Sequence, residues 1–438
     1  MQEVNSALPA GELASLSNDD LQRFYTAANE RYTAFRARGL KLDSTRGKPS
    51  ADQLDLSNGL LAAVDESEAR GGGDLRNYGG GVNGLPQARE LFAPMLGAPA
   101  AQVVVAENSS LALMHDTIVY ALLKGVPGGK AGWSTEPVTF LCPAPGYDRH
   151  FAICAQYGIK MIAVPMTGTG PDMDIVEKLV AEDASIKGMW CVPKYANPTG
   201  DIYSDEVVVR LAKMKTAAAD FRIFWDNAYA VHHLTDKKHE IANILEACAA
   251  AGNADRAFVF ASTSKITLAG AGLALFASSP ANVAWMTKNM GFRSIGPDKI
   301  NQLRHVKFLK DFAGLEALME KHRALIVPKM NAVLDVLKQE LAGRGVATWT
   351  NPDGGYFISF DVREGCAKRV VQLAEEAGVA MVPAGNTFPN GNDPKDSNIR
   401  IAPTFPALDG VKLAAEGIAL ATLVGVAENE LKKRGLAA

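Results

Sequence analysis

Short apolar runs alternate with segments of helical pattern between residues 100 and 280. The apolar runs lie at residues 102–106, 138–142, 160–164, 188–192, 222–225, 258–261 and 273–277, and helical patterns lie at 109–123, 174–181 and 205–219. Strands that are apolar throughout are typically buried on both faces, so this alternation predicts a mostly parallel central sheet covered by helices. The predicted fold class is therefore α/β.

The rest of the chain has a different pattern, which predicts a second, smaller domain. A helical region at 305–341 with a break at Pro328 precedes a hairpin at 346–362, a helix at 367–377, strands at 379–382 and 398–402, and a helix at 408–433. A chain of 438 residues exceeds the usual size of one domain. We expect an N-terminal arm (1–55) that packs on the small domain, a large domain (56–324) and a small α+β domain (325–438).

The charge and cysteine content favour a small-molecule partner in a reducing compartment. The net charge of −3 is nearly balanced for this length, whereas nucleic acids and anionic membranes bind clustered lysine and arginine. The five cysteines are widely spaced without a Cys-x-x-Cys pair, so neither a disulfide framework nor a zinc site is indicated. The sequence has no signal-like N-terminus and no uncharged apolar stretch of about 18 residues. We expect a cytoplasmic protein that binds neither nucleic acid nor membrane.

Three polar clusters each follow a predicted strand. They begin at Asn197, in Asn-Pro-Thr-Gly, at Asp226, in Asp-Asn-Ala-Tyr, and at Ser262, in Ser-Thr-Ser-Lys. Ligands collect at the carboxyl ends of strands in open parallel sheets, so we expect the clusters to form one site. Lys265 ends the third cluster, and a desolvated strand end lowers the pKa of an amine and makes it a nucleophile. Taken singly, the alternatives are a solvated lysine, a helix-capping aspartate and an ordinary Asn-Pro turn.

A cofactor with an aldehyde, a pyridine nitrogen and a phosphate would use these positions in different ways. Lys265 would form a Schiff base with the aldehyde. Asp226 would hold the pyridine nitrogen protonated, since a carboxylate about 4 Å away contributes roughly 4 kcal/mol at an effective dielectric constant near 20. Tyr229 and Asn197 would both lie near the phenolic oxygen of the ring and stabilise its deprotonated form.

The phosphate and the face of the ring need residues of their own. Ser109 and Ser110 precede a helical run, so their hydroxyls and backbone amides would face a phosphate at a helix N-terminus, although an ordinary serine cap has the same pattern. Ser262 and Ser264 are expected to donate further hydrogen bonds. Tyr147 follows another predicted strand and could stack on the cofactor, with a core aromatic as the alternative.

The motifs together resemble those of fold-type I pyridoxal-phosphate aminotransferases of the class I/II family. Besides the three clusters, the resemblance rests on Gly-Gly-Tyr-Phe at 354–357 and Asn-Ile-Arg-Ile-Ala at 398–402, all in the family's order and approximate spacing. The chain is most similar to the bacterial aspartate aminotransferase subgroup that is related to the effector domain of MocR-type regulators. The resemblance spans nearly the whole chain and implies pyridoxal 5′-phosphate as the cofactor.

The resemblance also implies roles for individual residues. Lys265 would carry the proton between the substrate Cα and the cofactor, and Arg400 would bind the substrate α-carboxylate, which suits its planar pair of donors. Gly47 matches a glycine whose backbone closes over the substrate. Tyr78, in a glycine-rich passage at 71–84 that predicts a loop, matches a tyrosine that reaches the phosphate of the other subunit. That role would require a homodimer with sites built from both chains.

One position departs from the family pattern. The family usually carries a phosphate-binding arginine eight residues after the lysine, but Leu273 occupies that position, so the phosphate-binding region must differ. The residue that reads the distal carboxylate of the substrate is also open. The candidates are Arg46, Arg149, Arg293 and Arg304.

The leading hypothesis is transamination of aspartate with 2-oxoglutarate, which yields oxaloacetate and glutamate. An alanine, aromatic or 2-aminoadipate donor would leave the same motifs, as would a β-lyase or a decarboxylase on the same fold. A regulator of the MocR type is the alternative outside catalysis, but about forty residues before the body are too few for a winged helix, and no basic patch accompanies them. A nicotinamide dehydrogenase is disfavoured because the glycines at 71–84 lack the Gly-x-Gly-x-x-Gly order.

Overall fold

Helices and strands alternate through most of the chain in the computed structural model, which describes residues 8–9, 11–78 and 81–437. The helices, numbered in chain order, are α1 Asn18–Arg36, α2 Ala51–Asp55, α3 Glu66–Asp74, α4 Pro86–Leu96, α5 Ser110–Lys124, α6 Asp148–Gln156, α7 Met173–Glu182, α8 Asp205–Lys213, α9 Ile244–Ala250, α10 Pro280–Arg293, α11 Lys299–Leu309, α12 Phe312–Leu341, α13 Ala367–Glu376 and α14 Leu408–Lys433. The strands are β1 Leu42–Asp43, β2 Val103–Ala106, β3 Thr139–Ala144, β4 Lys160–Pro165, β5 Ile186–Cys191, β6 Arg222–Asp226, β7 Ala257–Ser262, β8 Ala274–Ala277, β9 Ala347–Trp349, β10 Ile358–Val362, β11 Val379–Ala380 and β12 Asn398–Ile401.

The large sheet has seven strands in the described part of the chain, in the order β2-β8-β7-β6-β5-β3-β4. Strands β3 to β7 are parallel, whereas β8 is antiparallel to both of its neighbours, β2 and β7. Strand β2 therefore runs in the same direction as β7. The carboxyl ends of β2, β3, β5, β6 and β7 consequently lie at one edge, where ligands bind in open sheets. The predicted α/β fold with a mostly parallel sheet is confirmed.

The large sheet is covered on both faces because its strands are largely apolar. Every residue of β2, β3, β6 and β8 is buried. Helices α4, α7, α8 and α9 contribute side chains to the core on one face, and α5, α6 and α10 contribute to the core on the other. Burying one large apolar side chain contributes about 1.5–3 kcal/mol, so these two cores hold the strand ends in fixed positions.

A third core joins the C-terminal part of the chain to its N-terminal segment. Strands β9, β10 and β12 form an antiparallel sheet, and β1 pairs in parallel with β11. Helices α1, α12, α13 and α14 pack around them, with Phe24 and Tyr32 of α1 inside the core. This packing supports the proposed small domain and N-terminal arm. The proposed boundary between residues 324 and 325 would fall inside α12.

Three local expectations are wrong. Helix α12 continues through Pro328, and the helical region breaks instead at Lys310, whose φ of 69° is left-handed. A proline removes one hydrogen bond from a helix, and the apolar side chains that α12 buries offset this loss. The helix predicted at 205–219 ends at Lys213. The glycine-rich passage begins inside α3, and its residues 79 and 80 lie outside the described residues.

Helix α14 is long and apolar enough to cross a membrane, judged by length and composition alone. Its most apolar part has a mean hydropathy of 1.6, but 78% of that part is buried inside the protein. Helix α14 is therefore a core helix, packed with α1, α12 and α13.

Candidate active site

Asp226, the last residue of β6, lies in a buried polar group at the ligand edge of the sheet. Its Oδ2 is 3.0 Å from Nε2 of His150, and both side chains are almost fully buried. The His150 ring stacks on Trp190 with centroids 4.3 Å apart, and the Tyr147 ring meets it edge-on at 4.9 Å. Asp226 Oδ1 is buried without a hydrogen-bond partner among the described residues. Because such an atom is costly to leave unpaired, it is suited to accept a hydrogen bond from a ligand nitrogen.

Lys265 follows β7 and lies beside Tyr229. Its Nζ is 5.1 Å from the centre of the Tyr229 ring and 6.0 Å from the centre of the Tyr356 ring. Burial lowers the pKa of the Lys265 amine, the Asp226 carboxylate raises it, and the Arg400 guanidinium lowers it further. An amine with a lowered pKa is neutral, and thus nucleophilic, in a larger fraction of molecules at pH 7. The amine and the carboxylate therefore influence each other within one site.

Tyr229 and Asn197 are buried next to these groups. Burial raises the pKa of the Tyr229 phenol well above its ordinary value, and the neighbouring Tyr147 and Asp226 raise it further. The Tyr229 hydroxyl therefore stays protonated and can donate a hydrogen bond. Asn197 follows β5, and its Oδ1 is buried without a partner in the described part of the chain. Asn197, Tyr147 and His150 line the same small cavity.

A cluster of serines lies at the start of α5. Ser109 is the N-cap of this helix and Ser110 is its first residue. The Ser264 hydroxyl donates to the carbonyl oxygen of Asn108 at 3.3 Å, and the Ser262 hydroxyl donates to Ser264 Oγ at 3.1 Å. The loop after β7 therefore touches the start of α5. Hydroxyls and free backbone N–H groups at a helix N-terminus favour a bound phosphate.

Leu273 belongs to the protein core and offers no charge to a phosphate. Its side chain is 2% exposed, and its N–H donates to Thr263 Oγ1 at 2.8 Å. Nε2 of His305 lies 3.3 Å from Thr263 Oγ1 and 2.9 Å from Thr267 Oγ1, while its Nδ1 lies 2.8 Å from the carbonyl oxygen of Asn301. A carbonyl can only accept, so Nδ1 carries the proton and the lone pair of Nε2 accepts from a threonine hydroxyl. Burial lowers the pKa of His305 to about 4.

The free energy of unfolding should therefore fall as the pH is lowered from about 6.5 towards 4. In that window the unfolded chain binds a proton that His305 in the folded protein does not, which costs up to about 1.4 kcal/mol per pH unit. The His305→Gln variant should lose about 1.5 kcal/mol less than the wild type between pH 6.5 and pH 5, measured by urea unfolding of the cofactor-free protein. Equal slopes in the two proteins would contradict the prediction.

Arg400 on β12 and Gly47 both lie next to the ring of Phe357. The Arg400 guanidinium is 4.7 Å above this ring, donates to the carbonyl oxygen of Thr45 at 3.3 Å and lies 3.4 Å from Asp148 Oδ1. Its Nε is buried without a partner among the described residues. A Cβ atom on Gly47 would lie 2.1 Å from Phe357 Cζ, so this position requires glycine. The arginine thus retains an unpaired donor that an incoming carboxylate can use.

The candidates for the distal carboxylate have different surroundings. Arg293 is paired with Glu107 and Asp116, and Arg46 is paired with Asp43. Two candidates remain. Arg304 has an Nε that is buried without a partner among the described residues. Arg149 is exposed and directly follows Asp148, which is ion-paired with Arg400.

Tyr78 stands apart from the other predicted site residues. Its side chain is 71% exposed, and within the described residues no contact joins it to the groups around Lys265. Tyr78 is therefore free to contact another molecule, including a second copy of this chain.

Sequence reasoning missed His150, Trp190 and Phe357. Trp190 lies inside β5, His150 lies on α6, and Phe357 is the last residue of the Gly-Gly-Tyr-Phe motif. Of the three, only Phe357 lies in a sequence motif that the family resemblance identifies, and the motif alone gives no role to its aromatic ring.

Comparisons with known proteins agree with this geometry. The model of the aspartate amino-transferase family matches residues 16–434. A protein assigned to the aminotransferases in Mycolicibacterium smegmatis is 52% identical over 94% of this chain and 98% of its own length. An aspartate aminotransferase of Corynebacterium glutamicum is 46% identical over 95% of this chain and 97% of its own. The crystal structure of an aspartate transaminase from C. glutamicum, 45% identical, superposes with a TM-score of 0.93 and covers 96% of this chain and 100% of its own. The chain belongs to the aspartate amino-transferase family and is an aminotransferase.

Proposed function

We propose that this aminotransferase uses pyridoxal 5′-phosphate bound to Lys265 and transfers the amino group of aspartate to 2-oxoglutarate. The observation that carries the proposal is the pair of Lys265 and Asp226: a lysine whose pKa is lowered by burial lies near a buried carboxylate with an unpaired oxygen. When bound, the cofactor supplies an aldehyde that takes up the amino group and a ring that withdraws electrons from the substrate Cα.

The residues around Asp226 fit the ring of this cofactor. Asp226 Oδ1 would accept from the protonated pyridine nitrogen, while His150, bonded to Oδ2, fixes the direction of the carboxylate. Tyr229 would donate its hydroxyl hydrogen, and Asn197 would present its side-chain amide, to the phenolic oxygen. An amide oxygen and nitrogen are assigned from their partners, and rotation of the amide would place a donor where Oδ1 now lies unpaired. Tyr147 would cover one face of the ring.

The phosphate would lie at the N-terminus of α5. Ser109, Ser110, Ser262 and Ser264 supply hydroxyl groups there, and the helix end supplies backbone N–H groups. Tyr78 of a second subunit would complete the site, and its 71% exposure supports that role. The protein would accordingly be a homodimer, for which light scattering coupled to size-exclusion chromatography should return the mass of two chains.

Lys265 would also move the proton of the reaction. As a free amine it would take the proton from the substrate Cα and later give that proton back. Its lowered pKa favours this because the neutral amine can act as the base.

Arg400 and Gly47 would bind the α-carboxylate of the substrate. Because two parallel N–H donors match a carboxylate and a lysine offers one point charge, Arg400→Lys should raise the KM for both amino-acid and 2-oxo-acid substrates by about 10- to 100-fold. Steady-state kinetics with each substrate varied in turn test this. Arg210, ion-paired on α8 with Asp174 and Glu177, provides the control variant Arg210→Lys, which should keep the wild-type KM. A KM within twofold of the wild type in Arg400→Lys would contradict the role.

Aspartate as the donor is supported by the relatives described above that act as aspartate aminotransferases. The test mixes the cofactor-loaded protein with single amino acids in the absence of any 2-oxo acid and follows the absorbance of the bound cofactor. Aspartate and glutamate should change the spectrum fastest, ahead of alanine, 2-aminoadipate and the aromatic amino acids. A response to an aromatic amino acid alone would overturn the donor assignment and leave the cofactor assignment standing.

A cytoplasmic location is part of the proposal. The free thiols of all five cysteines are buried, which is consistent with a reducing compartment in which disulfides are not needed.

A further inference from the structure

A chain of buried polar side chains connects the N-terminal segment to the backbone next to Lys265. It runs through Ser50, Gln53 and His322 to the carbonyl oxygen of Ile266, and it begins at the ammonium group of Lys329. Gln53 and His322 have no exposed surface, and Lys329 is 5% exposed. None of these residues belongs to the site described above. Burying a polar side chain costs free energy unless all of its hydrogen-bonding groups are paired. The presence of this hydrogen-bonded series in the core therefore calls for a structural or functional explanation.

The bonds fix the tautomer of His322. Its Nε2 is 2.9 Å from the carbonyl oxygen of Ile266, which can only accept, so Nε2 carries the proton. Its Nδ1 is 3.1 Å from Gln53 Nε2 and accepts from that amide. Burial lowers the pKa of His322, which keeps the ring neutral and leaves Nδ1 free to accept.

The orientation of the Gln53 amide is fixed in the same way. Its Oε1 lies 3.1 Å from the backbone nitrogen of Ser50, which can only donate, and 3.1 Å from the Ser50 hydroxyl. The Ser50 hydroxyl accepts in turn from Lys329 Nζ at 3.1 Å. Every bond therefore donates in one direction, from the ammonium towards the carbonyl of Ile266.

Lys265 itself receives two longer contacts from the same region. Its carbonyl oxygen lies 3.3 Å from Nε2 of His232 and 3.4 Å from the hydroxyl of Tyr356, which also accepts from Gln53 Nε2 at 3.0 Å. Burial lowers the pKa of His232 well below its ordinary value, so this ring too is a neutral donor through Nε2. Gln53 therefore acts on both carbonyls, on Ile266 through His322 and on Lys265 through Tyr356.

We propose that Gln53 is a positioning residue for Lys265: through His322 and Tyr356 it fixes the backbone that presents the reactive amine and orients hydrogen-bond donors towards the carbonyl oxygens of Ile266 and Lys265. The inference rests on the proposed function of Lys265. It also couples the amine to the segment that carries Gly47, six residues before Gln53. Donors bonded to these carbonyl oxygens offset negative partial charge near the amine, so their loss should favour the ammonium form.

The test measures the pKa of Lys265 in the cofactor-free protein, from the pH dependence of its reductive methylation read by mass spectrometry of the peptide. Gln53→Leu should raise this pKa by about 0.5 unit or more, because the donors to both carbonyls lose their orientation. In the loaded enzyme the same variant should lower kcat about tenfold with KM within twofold of the wild type.

The control is Asn282→Leu, which removes another fully buried amide at the far end of β7. Asn282 donates to the carbonyl oxygen of Asp255 and to Ser278 Oγ, both at 2.8 Å. Its loss should lower the melting temperature but leave the pKa of Lys265 unchanged. A Gln53→Leu protein that melts lower with an unchanged Lys265 pKa would show that Gln53 serves stability only, and the proposal would be overturned.

Tyr356→Phe provides a second route if Gln53→Leu does not fold. It removes one hydroxyl group and should raise the Lys265 pKa in the same direction by a smaller amount, whereas an unchanged value would count against the proposal. Because the methylation experiment contains no cofactor, a failure of pyridoxal 5′-phosphate to bind would reject the proposed function and leave this measurement interpretable.

Discussion

Replacing Lys265 with alanine is expected to lower kcat/KM for transamination by about 10⁴-fold or more. In the proposed function the variant would lose both the covalent attachment of the cofactor and the base that moves the Cα proton, and general acid–base catalysis alone typically contributes about 10²–10⁴-fold. The measurement is steady-state transamination of aspartate with 2-oxoglutarate at saturating cofactor. The purified variant should also lack the absorbance of lysine-bound cofactor.

A lysine at the opposite edge of the sheet provides the matched control. Lys187 lies near the amino end of β5, is mostly buried and pairs with Asp220 at 2.9 Å. Lys187→Ala should lose stability, because it leaves Asp220 without its cation, but should retain the bound-cofactor spectrum and wild-type kcat. Activity within tenfold of the wild type in Lys265→Ala would remove the basis for every role assigned around this amine.

Replacing Asp226 with asparagine should lower kcat by about 10³-fold while the cofactor remains attached to Lys265. A carboxylate about 4 Å from the ring nitrogen contributes roughly 4 kcal/mol at an effective dielectric constant near 20, close to three factors of ten. Asparagine keeps the size of the side chain but removes the charge that, in the proposed function, would hold the ring nitrogen protonated. Single-turnover kinetics with aspartate measure the loss, and the retained spectrum shows that the site still forms.

The Asp226→Glu variant separates the effect of the carboxylate charge from the effect of its position. It keeps a carboxylate but moves it away from His150 Nε2, which now lies 3.0 Å from Oδ2. Its kcat should fall between the wild type and Asp226→Asn, since a displaced charge still acts at longer range. If Asp226→Asn reacts within tenfold of the wild type, the unpaired Oδ1 atom has another purpose.

The sheet could be predicted from the sequence because its physical cause is local. A strand buried on both faces is mostly apolar, and the runs before Asn197, Asp226 and Ser262 fit this pattern. The proximity of Lys265 and Asp226 follows from the same pattern, since the carboxyl ends of neighbouring parallel strands lie at one edge.

The partners of these residues could not be predicted, because they depend on contacts between distant parts of the chain. His150 reaches Asp226 only because α6 begins directly after the loop that follows β3, and its ring is then held against Trp190. The requirement for glycine at position 47 depends on Phe357, more than three hundred residues away. The continuity of α12 through Pro328 has the same origin, since its buried side chains, not its local sequence, decide where it ends.

In the proposed function the amine of Lys265 is covalently joined to pyridoxal 5′-phosphate. Borohydride reduction of the cofactor-loaded protein, followed by proteolysis and mass spectrometry, tests it in one measurement. We expect a phosphopyridoxyl group on the peptide that contains Lys265 and on no other lysine peptide. A group found on a different lysine, or an unmodified Lys265 peptide from fully loaded protein, would contradict it.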